Sequence, residues 1–328
     1  MGLKAEPDFQ LTLGDEDVTA RVRDRLLSLT VTDNSGEESD TLEVRLDDRD
    51  NAIETARRGA VLSLSIGYEG DGLFHMGKFT VDEVTVEGPP DVLIIQAKAA
   101  DMREGFKAQR TRSFTATTIG AIVADIASDH RLTPAVAAEL ASVVIVHRDQ
   151  TNESDLHFLT RLGRDFGAVA APKDGKLVFA PIGTGLSVSG AAMDVVTLDR
   201  RDLTRWSGKE ADRNSQGSVK ARWRDHRAAR TEYATAGSGD PVKTLRPTYR
   251  DEATARAAAE AALGRADRDR AEVELILPGR AVIVAQTPIE VTGLRPELSG
   301  RWIAKTVTHT LAFEGAGFTT TVTGSRAA

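Results

Sequence analysis

The sequence of 328 residues contains no cysteine. This absence excludes disulfide bonds and thiolate-ligated metal sites, and it is compatible with a reducing compartment. Aromatic residues make up only 5% of the chain, which argues against a platform on which single-stranded nucleic acid would stack. No apolar run approaches the ~20 residues that a membrane-spanning helix needs, so we expect no membrane insertion.

An excess of basic charge is also lacking. The chain has 49 acidic and 42 basic residues, a net charge of −7, so broad attraction to nucleic acid or to anionic membranes is not expected. The hydrophobic fraction of 41% and the charged fraction of 28% are typical of a globular protein with a sizeable core. At roughly 150 residues per domain, the length predicts two domains.

The first hundred residues have the period of β-strands. Apolar and polar side chains alternate over residues 27–31 and again over 42–46, and the polar stretch 34–39 between them predicts a hairpin. Farther along, two apolar pairs fall out of phase across residues 82–83, which predicts a bulge. Short strands at regular spacing favour a barrel or sandwich over a parallel sheet.

The pattern changes to a helical period after residue 113. Apolar residues at 119, 122, 123 and 126 form one helix face, and Thr115 or Thr117 can cap it. Thr133 and Pro134 then predict the start of a short helical piece, because proline is favoured in a first helical turn.

A cluster of Glu153, Ser154 and Asp155 is the sharpest candidate for chemistry. A nucleophilic serine needs a base and a third group that orients the base, and neighbours in one short stretch cannot face one another as a triad. No G-x-S-x-G elbow occurs in the chain. We therefore interpret the cluster as a helix start, with Ser154 or Asn152 as the N-cap and the acids favoured by the helix dipole.

Residues 152–181 predict that helix and a hairpin after it. The apolar residues of 156–166 lie on one helix face, and Gly167 is a good terminating residue. Residues 173–176, between two apolar runs, predict a hairpin turn. The strand within 176–183 could join the strands on either side of it.

The C-terminal half mixes polar loops with further strands. Residues 207–250 are polar and poorly periodic, and we interpret them as strands with long loops. An alanine-rich helix is predicted at 251–268, and strand patterns resume from 273 to 322.

Other candidate sites carry little weight. His147, Asp149 and Glu153 are close enough in sequence to hold a metal, but scattered surface histidines are the simpler interpretation. The basic stretch 223–230 could contact phosphates, yet it has acids interspersed and lies in a loop-rich region. Paired carboxylates for glycoside hydrolysis stay open, although chance pairs are plentiful among 49 acids.

A series of short motifs resembles a known family. Q-x-N-E-S-D-L-x-F-L-x-R-L at 150–162, K-D-G-K-L-V-F at 173–179 and L-I-L-P-G-R at 275–280 are followed by G-R-W at 300–302 and V-T-H at 307–309. In this order they resemble the phage late control D family, the tail hub proteins of contractile phages. That family is related to the hub region of the type VI secretion VgrG spike protein. The signature positions are Gln150, Glu153, Ser154, Asp155, Phe158, Leu159, Arg161, Leu162, Gly175, Pro278, Gly279, Trp302 and His309.

The resemblance implies a fold. It implies a mainly β chain with some α, in which two antiparallel β-barrel domains are joined by a mixed helix and hairpin module, as in the N-terminal part of VgrG. We expect the first barrel at 1–105, the connecting module at 106–184, and the second barrel at 185–328. Gly163 departs from the family, which more often has alanine there, so the helix is expected to be shorter or bent.

The resemblance also implies a function. The chain would be a structural baseplate hub of a contractile phage, a tailocin or another injection system, located in the virion tail and assembled in the bacterial host cytoplasm. Three copies would form a ring that adapts the sixfold tail tube to the threefold spike. Expected partners are the chain itself as a homotrimer, the spike, the tail tube or tube-initiator protein, other baseplate proteins and the tape-measure protein. No catalytic residue, cofactor, metal or specific nucleic-acid contact is implied.

Two functions of other classes stay open at this point. The chain could be a tail-associated enzyme that degrades peptidoglycan. It could also bind peptidoglycan without cleaving it, through the helical residues 113–166.

Overall fold

The computed structural model describes most of the chain. The described residues are 6–35, 38–99, 106, 108–173, 175–183, 193–210, 216–225, 228–313 and 317–327. The expected boundaries at 105 and 184, and Asp174 in the hairpin turn, lie outside them. The described chain is mainly β, with 21 strands and five α-helices. Within the same ranges, no helix is long and apolar enough to cross a membrane.

Seven strands and one short helix come first in the chain. They are β1 (Pro7–Leu13), β2 (Glu16–Asp17), α1 (Thr19–Arg23), β3 (Leu26–Asn34), β4 (Thr41–Asp47), β5 (Val61–Tyr68), β6 (Gly72–Glu87) and β7 (Val92–Ala99). Their alternating apolar side chains form the first hydrophobic core. The predicted hairpin of β3 and β4 is confirmed, and so is a bulge in β6 between Val81 and Glu83.

The middle of the chain contains three helices and five strands. They are β8 (Gln109–Thr118), α2 (Ile119–Asp129), β9 (Thr133–Val136), α3 (Ala138–Ala141), β10 (Val144–Ser154), α4 (Asp155–Phe166), β11 (Ala168–Lys173) and β12 (Lys176–Pro181). β8 and β10 form an antiparallel ribbon, and β11, β12 and β9 form a small mixed sheet. The apolar faces of α2 and α4 pack with these strands in a second core.

Three sequence predictions for this region were wrong. The N-cap of α2 is Thr118, whose side chain accepts from the Ala121 amide, because β8 extends through Thr115 and Thr117 and the helix starts only at Ile119. Pro134 lies in a strand, β9, which is an edge where a missing N–H is tolerated. β12 pairs with β11 and β9 and does not join the N- or C-terminal strands.

The C-terminal part builds two further cores. Its elements are β13 (Val196–Asp199), β14 (Arg205–Glu210), β15 (Ser218–Asp225), β16 (Arg230–Gly237), β17 (Val242–Tyr249), α5 (Glu252–Asp269), β18 (Ala271–Pro278), β19 (Pro288–Thr292), β20 (Gly300–Ala312) and β21 (Gly317–Arg326). The strands other than β15, β16 and β17 enclose the third core, which contains Trp302. The three-stranded sheet of β16, β15 and β17 packs on α5 around the fourth core. The predicted alanine-rich helix is confirmed, with Asp251 as its N-cap.

One continuous sheet of 13 strands joins the two ends of the chain. Its main order is β14-β18-β21-β20-β3-β4-β7-β6-β5-β1-β2, with β19 and β13 branching from β20. The central step is the antiparallel pairing of β20 with β3. Leu311 and Phe318, from β20 and β21, pack in the first core. The N- and C-terminal strands therefore meet where β3 pairs with β20, and this pairing is called the seam below. The strands that extend from one end of the chain into the core of the other are β20 and β21, and not β12.

Helix α4 continues through Gly163 and ends at Gly167, which has a φ of 64°. A Cβ atom placed on Gly163 would lie 2.5 Å from the carbonyl oxygen of Ala168. The left-handed Gly167 turns the chain so that β11 starts directly against the helix. Glycine at 163 thus allows a close approach of strand to helix, and the helix is not shortened there.

We expect Gly163→Ala to lower the free energy of unfolding by up to about 2 kcal/mol. The alanine Cβ would clash with the Ala168 carbonyl, and relieving such a clash typically costs about 1–3 kcal/mol. Alanine also stabilises a helix by about 1 kcal/mol relative to glycine. Gly264→Ala in α5 is the matched control, because its Cβ would meet only the Arg268 side chain at 3.4 Å. That variant should gain about 0.5–1 kcal/mol in urea unfolding. Equal gains at both positions would contradict the close approach at Gly163.

Candidate functional site

The N-terminus of α4 is capped as predicted. The Ser154 Oγ accepts the backbone N–H of His157 at 3.2 Å. Asn152, the alternative cap, lies on β10 in a left-handed conformation with a φ of 49°. The hydroxyl of Ser154 accepts a backbone N–H, while the His157 imidazole contacts Glu153 at 2.9 Å. Ser154 and His157 are therefore not arranged as a nucleophile and its base.

Asp155 is completely buried and connects three segments of the chain. Its Oδ1 accepts from Arg112 Nη2 at 2.7 Å and from Gln150 Nε2 at 2.8 Å. Its Oδ2 accepts from His130 Nε2 at 2.8 Å, and Arg110 Nε lies 3.6 Å away. Burial alone would raise the pKa of Asp155, but the hydrogen bonds from Gln150 and His130 and the nearby guanidinium groups lower it below its ordinary value.

Each partner of Asp155 is itself held in place. Gln150 is buried, accepts from Arg112 Nε at 2.8 Å and donates to the Glu153 carbonyl at 2.9 Å. His130 stacks on Phe106, with ring centroids 3.7 Å apart. The carboxylate is thus paired and hydrogen-bonded on both oxygens, which is what a buried charge requires. The network ties α4 to β8, β10 and the end of α2.

Glu153 has a different set of contacts. Its carboxylate pairs with Arg161 two turns farther along and with His157. Arg161 also donates to the Asp149 carbonyl at 2.6 Å, and Asp149 itself contacts His147 at 3.1 Å. Of the three residues suggested as a metal site, His147 and Asp149 thus contact each other, while Glu153 pairs with Arg161 and His157. Within the described ranges, no group of three His, Cys, Asp or Glu residues is placed to hold a metal ion.

A second charged cluster joins the middle of the chain to both ends. Lys173, at the end of β11, forms an ion pair with Asp33 of β3, and its Nζ lies 3.5 Å from Asp40. The other oxygen of Asp33 accepts the backbone N–H of Ala285 at 2.8 Å, in the segment after β18. Burial alone would lower the pKa of Lys173, but the two carboxylates raise it. Burial raises the pKa of Asp40 to about 6, against the attraction of Lys173.

His309 lies buried on β20 near this cluster. Its Nε2 donates to the Ile283 carbonyl at 3.0 Å, so its Nδ1 accepts from the Thr320 hydroxyl at 2.9 Å. Thr320 Oγ1 in turn accepts the Arg280 N–H at 2.8 Å. This arrangement requires a neutral imidazole. Burial lowers the pKa of His309 to about 4, although the Ile283 hydrogen bond and Asp33 favour the charged form.

The other signature residues fall into three places. Phe158, Leu159 and Leu162 fill the second core. Gly175 is in the hairpin turn between β11 and β12, with a φ of 75°. Around the seam, a Cβ on Gly279 would lie 2.0 Å from the Phe318 ring, so only glycine fits after Pro278. Trp302 is buried in the third core and donates to the Leu298 carbonyl at 3.0 Å.

Sequence reasoning missed Arg112, His130, Asp33 and Lys173 as parts of these clusters. None of them stands in a motif with a chemical spacing. Asp155 was assigned to the first helical turn, where an acid is usually exposed. A partial signal was available in Arg110 and Arg112, two cations two residues apart, but no strand was predicted there that would have placed them on one face.

The family model described as phage tail baseplate hub (GPD) matches residues 39–315. The chain belongs to this family. A probable baseplate hub protein of Escherichia phage 186 is 36% identical, and the match covers 97% of this chain and 92% of that protein. The corresponding protein of Escherichia phage P2 is also 36% identical, over 98% of this chain and 93% of its own length. The late control D resemblance is confirmed.

Solved structures with the same fold have little sequence in common with the chain. The 43 kDa tail protein of prophage MuSo2 from Shewanella oneidensis has a TM-score of 0.73 at 12% identity, covering 98% of both chains. The Escherichia coli c3393 protein, a type VI secretion component, has a TM-score of 0.56 at 14% identity, over 98% of this chain and 74% of that one. The chain therefore shares its mainly β fold with a prophage tail protein and with a component of a type VI secretion system.

Family membership indicates what the charged clusters at Asp155 and Lys173 do. The chain is a structural baseplate hub protein of a phage tail, and it is a virion component. In such a protein, buried charges that tie separate segments together fix the shape of the subunit. This agrees with the cap interpretation of Ser154, whose neighbours hold α4 against β8 and α2.

Replacing Ser154 by alanine should lower the free energy of unfolding by roughly 0.5–2 kcal/mol, because the alanine side chain leaves the His157 N–H without its partner. Ser154→Thr is the matched control, because threonine keeps a hydroxyl that can accept the His157 N–H. Denaturant unfolding of the three proteins measures the difference. Equal losses in both variants would show that the hydroxyl does not act as a cap.

We expect His309 to make stability fall as the pH is lowered from about 6.5 to about 4. In this range the unfolded chain binds a proton at the histidine and the folded chain does not, so unfolding is favoured by up to roughly 3 kcal/mol. His309→Gln keeps one donor and one acceptor but cannot titrate. Its free energy of unfolding, measured by urea at several pH values, should fall less steeply over this range than that of the natural protein. Identical pH slopes would contradict a neutral buried imidazole.

Proposed function

We propose that three copies of the chain form a ring in the baseplate that adapts the sixfold tail tube to the threefold spike. The observation that carries this proposal is the seam between β3 and β20. It places the N-terminal and C-terminal strand groups in one continuous sheet, so each subunit presents two strand-rich units in a fixed relation. Three such subunits offer six units around one axis.

The two units correspond, in this proposal, to β-barrels that share the seam. The first takes residues 1–105 and the second takes 185–328, with the connecting module 106–184 between them. Separate hydrophobic cores in the N-terminal strands and in β13 and β18–β21 support this division. The sheet of β15–β17 with α5 adds a further core within the C-terminal part.

The clusters at Lys173 and Asp155 support a purely structural role for the connecting module. Lys173 ties the module to β3 and, through Asp33, to the segment at Ala285. The signature residues from Gln150 to Leu162 form the body of the module. We assign them to shape and to assembly, with no catalytic step, cofactor or metal. The partners are the chain itself, the spike, the tail tube or its initiator, and neighbouring baseplate and tape-measure proteins.

The expected copy number in an assembled tail is three, located between the tube and the spike. Electron cryomicroscopy of intact tails measures both the number and the place. Six or twelve copies per tail, or a position outside the tube-to-spike junction, would contradict the ring.

Catalysis is tested separately. The purified chain should give no clearing in zymography on peptidoglycan and should not be retained by purified peptidoglycan. Clearing that survives Ser154→Ala would point to an enzymatic site elsewhere, and clearing lost in Ser154→Ala with unchanged melting would restore the catalytic interpretation of the Glu153–Asp155 cluster.

A further inference from the structure

One face of the three-stranded sheet of β16, β15 and β17 is uncovered and basic. The opposite face packs on α5 through Val219, Ala221 and Ala234. Side chains alternate between the two faces of a strand, so Lys220, Arg222 and Arg224 project from the uncovered side. Arg222 and Arg224 are exposed. No ion pair in the described part of the chain involves any of the three.

The neighbouring strands extend this basic face. Tyr233 of β16 lies directly opposite Arg222 in the register and is 56% exposed. On β17, Arg246 is exposed, and its carbonyl accepts from Arg222 Nη2 at 2.6 Å. Residues 216–250 contain eight basic and three acidic side chains, in a chain whose net charge is −7. An aromatic ring among arginines on a rigid sheet is the composition of a contact surface.

The opposite charge is concentrated in the N-terminal part of the chain. Residues 1–99 contain 21 acidic and 10 basic side chains. On the outer face of β4, β7 and β6, Glu43 and Glu83 lie on either side of Gln96 in one row across the strands. Arg45 and Lys98 share this face, but they form ion pairs with Glu87 and Asp82. Glu43 accepts from Gln96 at 3.3 Å and Glu83 from Thr85 at 3.4 Å, and neither acid is in an ion pair within the described ranges.

We propose that the basic face, Lys220, Arg222, Arg224, Tyr233 and Arg246, binds the acidic face, Glu43 and Glu83, of the next copy of the chain. The proposal rests on the ring described under Proposed function and identifies its subunit contact. A closed ring of identical copies needs a heterologous contact, in which two different surfaces of each subunit meet. Two faces of opposite charge on separate cores of one chain meet that requirement. Like faces repel, which disfavours symmetric dimers.

A second copy fits the basic face better than a nucleic acid does. The cations of the face suit a few isolated acids, such as Glu43 and Glu83 of a second copy, whereas Asp225 and Glu232 interrupt the continuous basic track that a phosphate backbone needs. The sheet also carries threonines between its cations, including Thr231 and Thr235, which suit the polar rim of a protein interface.

The test is sedimentation equilibrium of the full chain at low salt, up to about 200 µM, with charge-reversal variants. Arg222→Glu with Arg224→Glu should raise the dissociation constant for self-association at least tenfold, and so should Glu43→Arg with Glu83→Arg. Combining all four changes in one chain reverses both faces and should restore self-association. Arg201→Glu with Arg205→Glu is the matched control, since both cations are exposed and neither lies on β15, β16 or β17. It should leave the constant within about twofold, and circular dichroism checks the fold of every variant.

The outcomes separate this contact from the ring itself. Trimers that are insensitive to both reversals, or a fourfold variant that stays dissociated, would overturn the contact and leave the ring standing. Absence of self-association in the natural chain at every concentration would overturn the contact, while the copy number in intact tails still decides the ring. Binding of a DNA duplex that is lost on Arg222→Glu with Arg224→Glu, while self-association is unchanged, would assign the face to a polyanion instead.

Discussion

The antiparallel pairing of β3 with β20 is the constraint on which the rest of the structure depends. It joins residues 280 positions apart, as at Thr30 and Thr310, whose hydroxyls lie 3.4 Å from each other across the strands. Closing so long a loop costs little more entropy than closing a moderate one, because the cost grows only with the logarithm of length. The pairing also buries apolar surface, since Leu311 and Phe318 complete the first core. The N-terminal strands therefore do not have a complete core of their own.

Buried charges then fix the middle of the chain against this seam. The ion pair of Lys173 with Asp33 and the contacts of Asp155 with Arg112 and His130 each have hydrogen bonds that satisfy the desolvated groups. Such pairs add little net stability over apolar packing, but an unpaired member is costly. Alternative placements of the connecting module would leave charges unpaired. The clusters thus favour one arrangement of the module and the two strand groups.

A rigid subunit is what a baseplate hub requires. Contacts around a ring close only if each subunit holds its two contacting surfaces at a constant angle, and a flexible link would permit open chains of subunits as well. In the proposed ring, the seam and the clusters provide that angle. The proposed contact favours an arrangement in which the basic face of one subunit meets the acidic face of the next, because unlike faces attract and like faces repel. In the proposed ring, function would depend on geometry and on the charge distribution over the whole chain.

Local physics alone determined several parts of this protein. The period of apolar residues gave the hairpin of β3 and β4, the bulge at Val81 to Glu83 and the helices α2, α4 and α5, and capping chemistry gave Ser154. Ordered motifs predicted the family. Apart from the motif series, these features depend on interactions between residues that are close in sequence, so the local sequence contains the information that they need.

Tertiary structure decided what depends on distant partners. No local pattern distinguishes a strand that completes a neighbouring core, such as β20, from one that stays in its own, such as β12. Asp155 has the sequence context of an exposed first-turn acid, and only the fold brings Arg112 and His130 to it. From the sequence, Gly163 was expected only to destabilise the helix. The position of the Ala168 carbonyl shows why glycine fits there. Burial and long-range pairing depend on the whole chain, and so they are settled only when the chain folds.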